Sequence, residues 1–177
     1  MILSNGRCTP LPPAAACLNK DEEMTHDNLV DRTKITDHVL NYATGIDRHQ
    51  WDLYRSIFAD DITIDFASWS GDPASKMKAD DWVAGVRATL EPFDATQHVL
   101  TNFAIELDGD QAICTCYMSA HHHLVTGDLR EMQSIGGYYV HHLERSGDGW
   151  LIHRTQLNVT WEMGDRGLFE QAALRAG

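Results

Sequence analysis

Hydrophobic positions in the first half of the chain follow helical spacing. Within residues 27–46 the apolar side chains recur at intervals of three and four residues, as in a helix with one face on a core: Ile35, Val39, Tyr42, Ala43 and Ile46. We expect a first helix from Asp27 to Ile46 and a shorter second helix from Arg48 to Phe58. A third helix begins at Ala79 and ends before Pro92, because proline disrupts a helix interior.

Alternating polar and apolar residues predict strands in most of the remaining chain. A short strand is expected at Ile62–Phe66, followed by a loop at Ser70–Lys78, which contains glycine and proline. Four further strands, joined by turns of Gly and Asp, are expected at Thr96–Leu107, Ala112–Val125, Glu131–Glu144 and Trp150–Trp161. Gly136-Gly137 indicates a bulge, and a last helix is expected at Arg166–Arg175. The pattern predicts an α+β fold with helices on one face of a strongly curved antiparallel sheet.

Length and charge narrow the class of protein. The 177 residues suit a single domain, expected at residues 25–177 after a flexible arm at residues 1–24. The formal net charge of −12 repels phosphate groups, so we expect neither nucleic acid nor a membrane as partner.

The cysteines and the N-terminal residues indicate the cellular compartment. Cys114 and Cys116 share one face of a predicted strand, while Cys8 and Cys17 fall in the arm, so we expect no disulfide framework. The first twenty residues lack the apolar stretch of a secretory signal. We therefore expect a cytoplasmic protein.

Four sequence segments resemble one known family. They are YATGIDRHQWDLYRSIFADDITIDF (Tyr42–Phe66), ATQHVLTNF (Ala95–Phe103), SAHHH (Ser119–His123) and SGDGWLIHR (Ser146–Arg154). With the order of elements, they resemble the SnoaL-like branch of the NTF2-like superfamily, which includes scytalone dehydratases, bile-acid dehydratases and a hexachlorocyclohexane dehydrochlorinase. The resemblance covers about residues 27–163. It implies a cone-shaped domain that binds a small hydrophobic cyclic or polycyclic substrate and uses neither a metal nor an organic cofactor. We also expect a homodimer or homotrimer formed through sheet faces.

The resemblance assigns catalytic roles to Asp47, His98, His121 and Tyr42. Imidazole has a pKa near neutrality, and a buried carboxylate bonded to its other ring nitrogen fixes the tautomer and stabilises the imidazolium. We expect His98 to remove a carbon-bound proton and Asp47 to orient a histidine, without a prediction of which one. His121 is expected to protonate the leaving group, and Tyr42 to bond a substrate oxygen.

Each of these residues also has a purely structural interpretation. Residues 47–50, DRHQ, match a capping box in which Asp47 only begins the second helix. His98 can be a satisfied histidine on a half-buried strand, and Tyr42 can pack in the core with its hydroxyl bonded to backbone.

The histidines leave further alternatives open. Because side chains alternate along a strand, His121 and His123 face one way and His122 the other, and His121 can equally lie at a solvated edge. A metal site of two histidines and a carboxylate is a second interpretation, drawn from His121, His123, His141, His153 and Asp47. No HExxH or cysteine spacing favours it, and we predict no metal.

Aromatic and apolar side chains are expected to line or support the substrate pocket. The predicted substrate-binding residues are Tyr54, Phe66, Trp69, Trp82, Leu100, Met118, Tyr139 and, from an arginine of some relatives, Arg154. The predicted function is a cofactor-independent, dehydratase-type lyase with an Asp-His acid/base pair. A ketosteroid-like isomerase in the same pocket is one alternative. The other is a non-catalytic ligand-binding or partner subunit, like the small subunit of ring-hydroxylating dioxygenases.

Overall fold

The computed structural model describes residues 25–175, which form five helices and one six-stranded sheet. The helices are α1 (His26–Asp47), α2 (Trp51–Ser56), α3 (Ala67–Ser70), α4 (Ala79–Leu90) and α5 (Gly167–Arg175). The strands are β1 (Phe58–Asp65), β2 (Ser75–Lys78), β3 (Ala95–Asp108), β4 (Gln111–Thr126), β5 (Leu129–Ser146) and β6 (Gly149–Met163). The arm predicted for residues 1–24, with Cys8 and Cys17, lies outside the described residues.

The sheet has the strand order β2-β1-β6-β5-β4-β3 and is not closed. Strands β3 to β6 form the predicted antiparallel meander, whose turns place Gly109, Gly127 and Gly147 at φ values of 59°, 60° and 57°. Glycine adopts this conformation without a steric penalty. β1 joins the meander by parallel pairing with β6. The α+β class is confirmed, with one parallel pairing in a sheet that was expected to be antiparallel throughout.

The predicted bulge at Gly136-Gly137 is confirmed. The register between β5 and β6 shifts between these two residues. A Cβ atom at Gly136 would overlap the Trp161 ring, and one at Gly137 would overlap the carbonyl oxygen of Asn158. Glycine is required here because β6 lies too close to β5 for any side chain.

The elements around β1 differ from the expected ones. Helix α2 spans Trp51–Ser56 rather than Arg48–Phe58. β2 lies within the segment expected to be a loop, where it pairs with β1 and Lys78 Nζ contacts Asp61 Oδ1 at 2.6 Å. This edge strand is mostly exposed, so it lacks the apolar alternation that would have indicated it. β1 begins at Phe58, before the expected Ile62, because the Ile57 carbonyl already accepts the Ile152 N–H of β6.

The apolar stripe of α1 packs onto the core as predicted. Its members are all buried: Ile35, Val39, Tyr42, Ala43 and Ile46. At Gly45, α1 passes so close to α2 that an added Cβ would stand 2.8 Å from the Cβ of Tyr54. The packing of α1 brings its last residue, Asp47, to β3. None of the helices within residues 25–175 is long and apolar enough to cross a bilayer.

Candidate active site

The carboxylate of Asp47 bonds to β3 rather than capping α2. Helix α2 begins at Trp51 after Gln50, and no side chain within the described residues caps it. The capping-box interpretation therefore does not describe this structure. An acidic group at the C-terminal end of a helix is disfavoured by the helix dipole, so the charge of Asp47 needs partners elsewhere.

Asp47 and His98 form a hydrogen-bonded pair. His98 Nδ1 lies 2.7 Å from Asp47 Oδ1, the His98 backbone N–H donates to Oδ2 at 2.7 Å, and Thr96 Oγ1 donates to Oδ1 at 2.9 Å. The side chains of His98 and Asp47 are 5% and 20% exposed. Partial burial disfavours the ionised carboxylate, but the hydrogen bonds and charge of His98 lower the pKa of Asp47 below its usual value.

The ionised state of Asp47 fixes the tautomer of His98. A carboxylate can only accept hydrogen bonds, so Nδ1 of His98 carries the proton that Asp47 Oδ1 receives. In the neutral form of the ring, the other nitrogen, Nε2, has a free lone pair. His98 thus has the arrangement of a histidine general base supported by an aspartate.

A cavity of about 180 Å³ lies beside His98. It is lined largely by apolar and aromatic side chains from α1, α3, α4, α5 and the inner sheet face. Six of the predicted site residues contribute to its wall: Tyr42, Phe66, Trp69, Trp82, His98 and Tyr139. Among the described residues, no Lys, Arg, Asp or Glu side chain lines it. The cavity is suited to an uncharged ligand of about one ring, since an apolar cavity of about 150 Å³ can hold benzene.

Tyr42 belongs to a buried group of aromatic side chains. Trp82 Nε1 donates to Tyr54 Oη at 2.9 Å, and the ring centroids of Tyr54 and Tyr139 lie 5.0 and 5.1 Å from that of Tyr42. Burial raises the pKa of Tyr42, so its hydroxyl stays protonated at neutral pH. Because an indole N–H can only donate, the Tyr54 oxygen accepts the hydrogen bond from Trp82. The Tyr54 O–H then remains able to donate a hydrogen bond to Tyr42.

Four of the predicted substrate-binding residues do not line the cavity. Tyr54 lies behind Tyr42 and supports it. Leu100 and Met118 are cross-strand partners buried in the core. Arg154 donates from Nη2 to Asp65 Oδ2 at 2.7 Å, and this ion pair occupies its guanidinium.

His121 lies on the sheet face away from the cavity, whereas His122 lines it. The inward positions of β4 are the buried ones, Met118, Ala120 and Leu124, and His122 shares their face. His121 instead contacts the hydroxyls of Ser119 and Ser134 at 3.0 and 2.8 Å. The expectation that His121 faces the substrate is therefore corrected, because strand alternation turns it outward.

Comparisons with known proteins identify the family. The family model for the SnoaL-like domain matches residues 27–156, more than half of the chain. The chain belongs to the SnoaL-like domain family.

A sequence relative and a solved structure are similar to this SnoaL-like domain. An uncharacterized Mycobacterium tuberculosis protein is 30% identical over 128 residues, covering 70% of this chain and 82% of its own. The Kribbella flavida protein Kfla4162 has a TM-score of 0.75 at 28% identity and covers 82% of this chain and 99% of its own.

Two further solved structures carry enzyme names. A candidate scytalone dehydratase from Novosphingobium aromaticivorans has a TM-score of 0.70 at 18% identity, with 81% of this chain and 93% of its own covered. A hexachlorocyclohexane dehydrochlorinase from Novosphingobium barchaimii has a TM-score of 0.64 at 22% identity, with 80% and 94% covered. At these identities the likeness establishes the NTF2-like fold alone.

Several residues that line the cavity were not predicted from the sequence, among them His122 and Phe169. His122 places Nδ1 3.0 Å from Gln133 Oε1, and burial, together with the nearby His98, lowers the pKa of His122 to about 4. The apolar positions on either side of it, Ala120 and Leu124, were the signal that could have identified its inward face. Phe169 of α5 contacts the His122 ring, with the centroids 4.9 Å apart, and no local motif pointed to it.

The metal interpretation of the histidines does not match their positions. Within residues 25–175, no three His, Cys, Asp or Glu side chains are close enough together to hold a metal ion. His141 is buried against Thr155, while His153 lies near Glu144. The two histidines therefore contact different residues.

Proposed function

We propose that this SnoaL-like domain is a cofactor-independent lyase that removes water from a small, uncharged cyclic hydroxy ketone. The 2.7 Å contact between Asp47 and His98, on the wall of an apolar cavity, carries this proposal. The names of two structural neighbours, a candidate dehydratase and a dehydrochlorinase, both denote eliminations and support it. An elimination of this kind requires a base, a support for the developing negative charge and a proton for the leaving group.

His98 serves as the base in this proposal. Its Nε2 lone pair takes the proton from the carbon next to the substrate carbonyl, and Asp47 stabilises the imidazolium that results. Removal of water from the cavity strengthens this interaction, because the effective dielectric constant falls. General acid–base assistance of this type contributes roughly 10²–10⁴ in rate.

Tyr42 supports the charge that develops on the carbonyl oxygen. Its oxygen can accept from the hydroxyls of Tyr54 and Tyr139, which leaves its own proton to donate to the substrate. The Trp82 N–H behind Tyr54 reinforces this direction. As the negative charge moves from the enolate into the new carbon–carbon double bond, the carbon–oxygen bond to the leaving hydroxyl breaks.

The leaving hydroxyl receives its proton from His98. In the first step the neutral imidazole takes up a proton and becomes imidazolium. When the imidazolium returns this proton to the departing oxygen, water forms and the neutral base is restored. His121, the donor expected from the sequence, lies on the other sheet face. One histidine therefore serves as base and then as acid in this proposal.

Mass spectrometry with 3-hydroxycyclohexanone tests the proposal. We expect the wild type to form cyclohexenone, with the loss of one water. His98→Gln should lower turnover by roughly 10²-fold or more at an unchanged melting temperature. His121→Gln is the matched control, because it replaces a histidine on the opposite sheet face, and it should retain wild-type turnover. Full activity of His98→Gln would contradict the proposal.

The same experiment separates elimination from isomerisation. The Asp47–His98 pair can also move a proton between two carbons without loss of a leaving group. In deuterated water, an isomerase would incorporate deuterium into an unsaturated cyclic ketone and leave its carbon skeleton and oxygen count unchanged. Loss of water from the hydroxy ketone favours the lyase, whereas a shifted double bond with deuterium at the newly protonated carbon, and no loss of water, favours the isomerase.

A further inference from the structure

A chain of four polar side chains runs from the cavity to the protein surface. His122 Nδ1 lies 3.0 Å from Gln133 Oε1, and Gln133 Nε2 donates to Glu162 Oε1 at 3.1 Å. Arg166 Nε donates to the two carboxylate oxygens of Glu162 at 2.7 and 2.9 Å. Gln133 is fully buried, although its side chain is polar, so its hydrogen bonds must be satisfied inside the protein.

The chemistry of the outer two groups fixes the direction of every hydrogen bond in this chain. A guanidinium only donates and a carboxylate only accepts. The hydrogen bonds from Arg166 lower the pKa of Glu162 below its usual value and keep it ionised. Gln133 must therefore turn its NH₂ group to Glu162 and its oxygen to His122. The proton of the neutral His122 then resides on Nδ1, and Nε2 has a free lone pair.

We propose that Gln133 is a positioning residue that holds His122 as a hydrogen-bond acceptor, and that His122 thereby selects ligands that present a hydroxyl group to its Nε2. The inference deepens the proposed function, since it concerns the substrate class of the same cavity. The rings of His98 and His122 lie 5.9 Å apart, so the cavity offers two acceptors near each other. A ligand carbonyl placed against His122 would meet a second lone pair, which disfavours it.

The electrostatics of the cavity are consistent with this role. Burial lowers the pKa of His122 to about 4, so the ring is neutral at pH values near neutrality and has no second proton to donate. No charged side chain among the described residues lines the cavity. The selected ligand is therefore an uncharged ring compound with a hydroxyl group.

Nitrogen-15 NMR of the imidazole rings, recorded near neutral pH, tests the tautomer. We expect His122, assigned by comparison with His122→Phe, to carry its proton on Nδ1 in the wild type. Gln133→Leu should populate both tautomers. Gln111→Leu is the matched control, because Gln111 also donates to a glutamate across β4 and β5, Glu144 at 3.2 Å, but is exposed and far from the cavity in the strand register. A wild-type His122 protonated on Nε2 would overturn the proposal even if Gln133→Leu did not fold.

Phenol and toluene, which have nearly the same shape, test the selection for a hydroxyl. We expect phenol to bind the wild type about 5-fold more tightly than toluene, the value of one ordinary hydrogen bond, and to shift the His122 Nε2 resonance. The ratio should approach one in Gln133→Leu and stay unchanged in Gln111→Leu. Equal binding of the two probes, no binding of phenol, or a shift of the His98 resonances alone would each overturn the role of His122. None of these outcomes depends on turnover, which separately tests His98 as the base.

Discussion

At the scale of single residues, Asp47 provides the clearest test of the proposed chemistry. Asp47→Asn keeps the shape of the side chain but removes the charge that stabilises the His98 imidazolium and fixes its tautomer. We expect kcat in the elimination assay to fall by roughly 10²-fold or more. Asp128→Asn, in the turn between β4 and β5, is a suitable control and should leave kcat unchanged. Wild-type kcat in Asp47→Asn would show that the pair has no catalytic role.

The lowered pKa of Asp47 also predicts how stability depends on pH. A carboxyl group whose pKa is lower in the folded state stabilises the fold above its unfolded pKa of about 4, and this contribution is lost as pH falls through the folded pKa. We expect the free energy of unfolding of the wild type to exceed that of Asp47→Asn at pH 7, with a difference that shrinks below about pH 4. Urea denaturation over this pH range measures it. A difference independent of pH would contradict the electrostatic account.

The sequence allowed part of this site to be predicted. Asp47, His98 and Tyr42 were identified through their resemblance to family segments. Asp47 does pair with His98, and Tyr42 lines the same cavity as His98. The partner of Asp47 was left open, because it depends on how the end of α1 meets a strand 51 residues later. His121 was assigned its role from the resemblance, and a run of three histidines does not by itself show which of them faces inward. Only the neighbouring apolar positions distinguish the inward face.

At the scale of the elements, replacing a helical glycine by alanine is expected to change the free energy of unfolding in opposite directions at two positions. Alanine normally stabilises a helix by roughly 0.5–1 kcal/mol relative to glycine. At Gly85 of α4 an added Cβ meets nothing within 4 Å, so Gly85→Ala should raise the free energy of unfolding by about this amount. At Gly45 the Cβ would stand 2.8 Å from Tyr54, so Gly45→Ala should lower it by roughly 1–3 kcal/mol. Equal effects in denaturant unfolding would contradict the close contact of α1 with α2.

Elements with local sequence signals could be predicted, whereas elements that depend on pairing between distant segments could not. α1 and the meander were predicted because their apolar periodicity and turn glycines are local features. β2 was missed because an exposed edge strand depends on its pairing with β1 rather than on its own pattern. The parallel pairing of β1 with β6 was missed for a similar reason, since the two strands are far apart in sequence.

At the scale of the whole molecule, the outer sheet face carries exposed apolar side chains on β3 and β4. Val99, Ile113 and Tyr117 alternate with inward residues of β3 and β4, and they are 41%, 36% and 51% exposed. Exposed apolar side chains grouped on one face are typical of an interaction surface. This grouping supports the expectation of a homodimer or homotrimer formed through sheet faces.

The charge of the chain predicts how such an oligomer responds to salt. Each copy carries a formal net charge of −12, so association brings like charges together, and added salt screens their repulsion. We expect sedimentation velocity to detect dimers or trimers that become more stable as sodium chloride is raised to about 0.5 M. Tyr117→Glu should dissociate them, because it buries a carboxylate at the centre of the apolar face. Leu174→Glu, which adds the same charge at the 82% exposed Leu174 of α5, should leave them intact. A monomeric wild type, or equal dissociation by the two variants, would exclude this face as the interface.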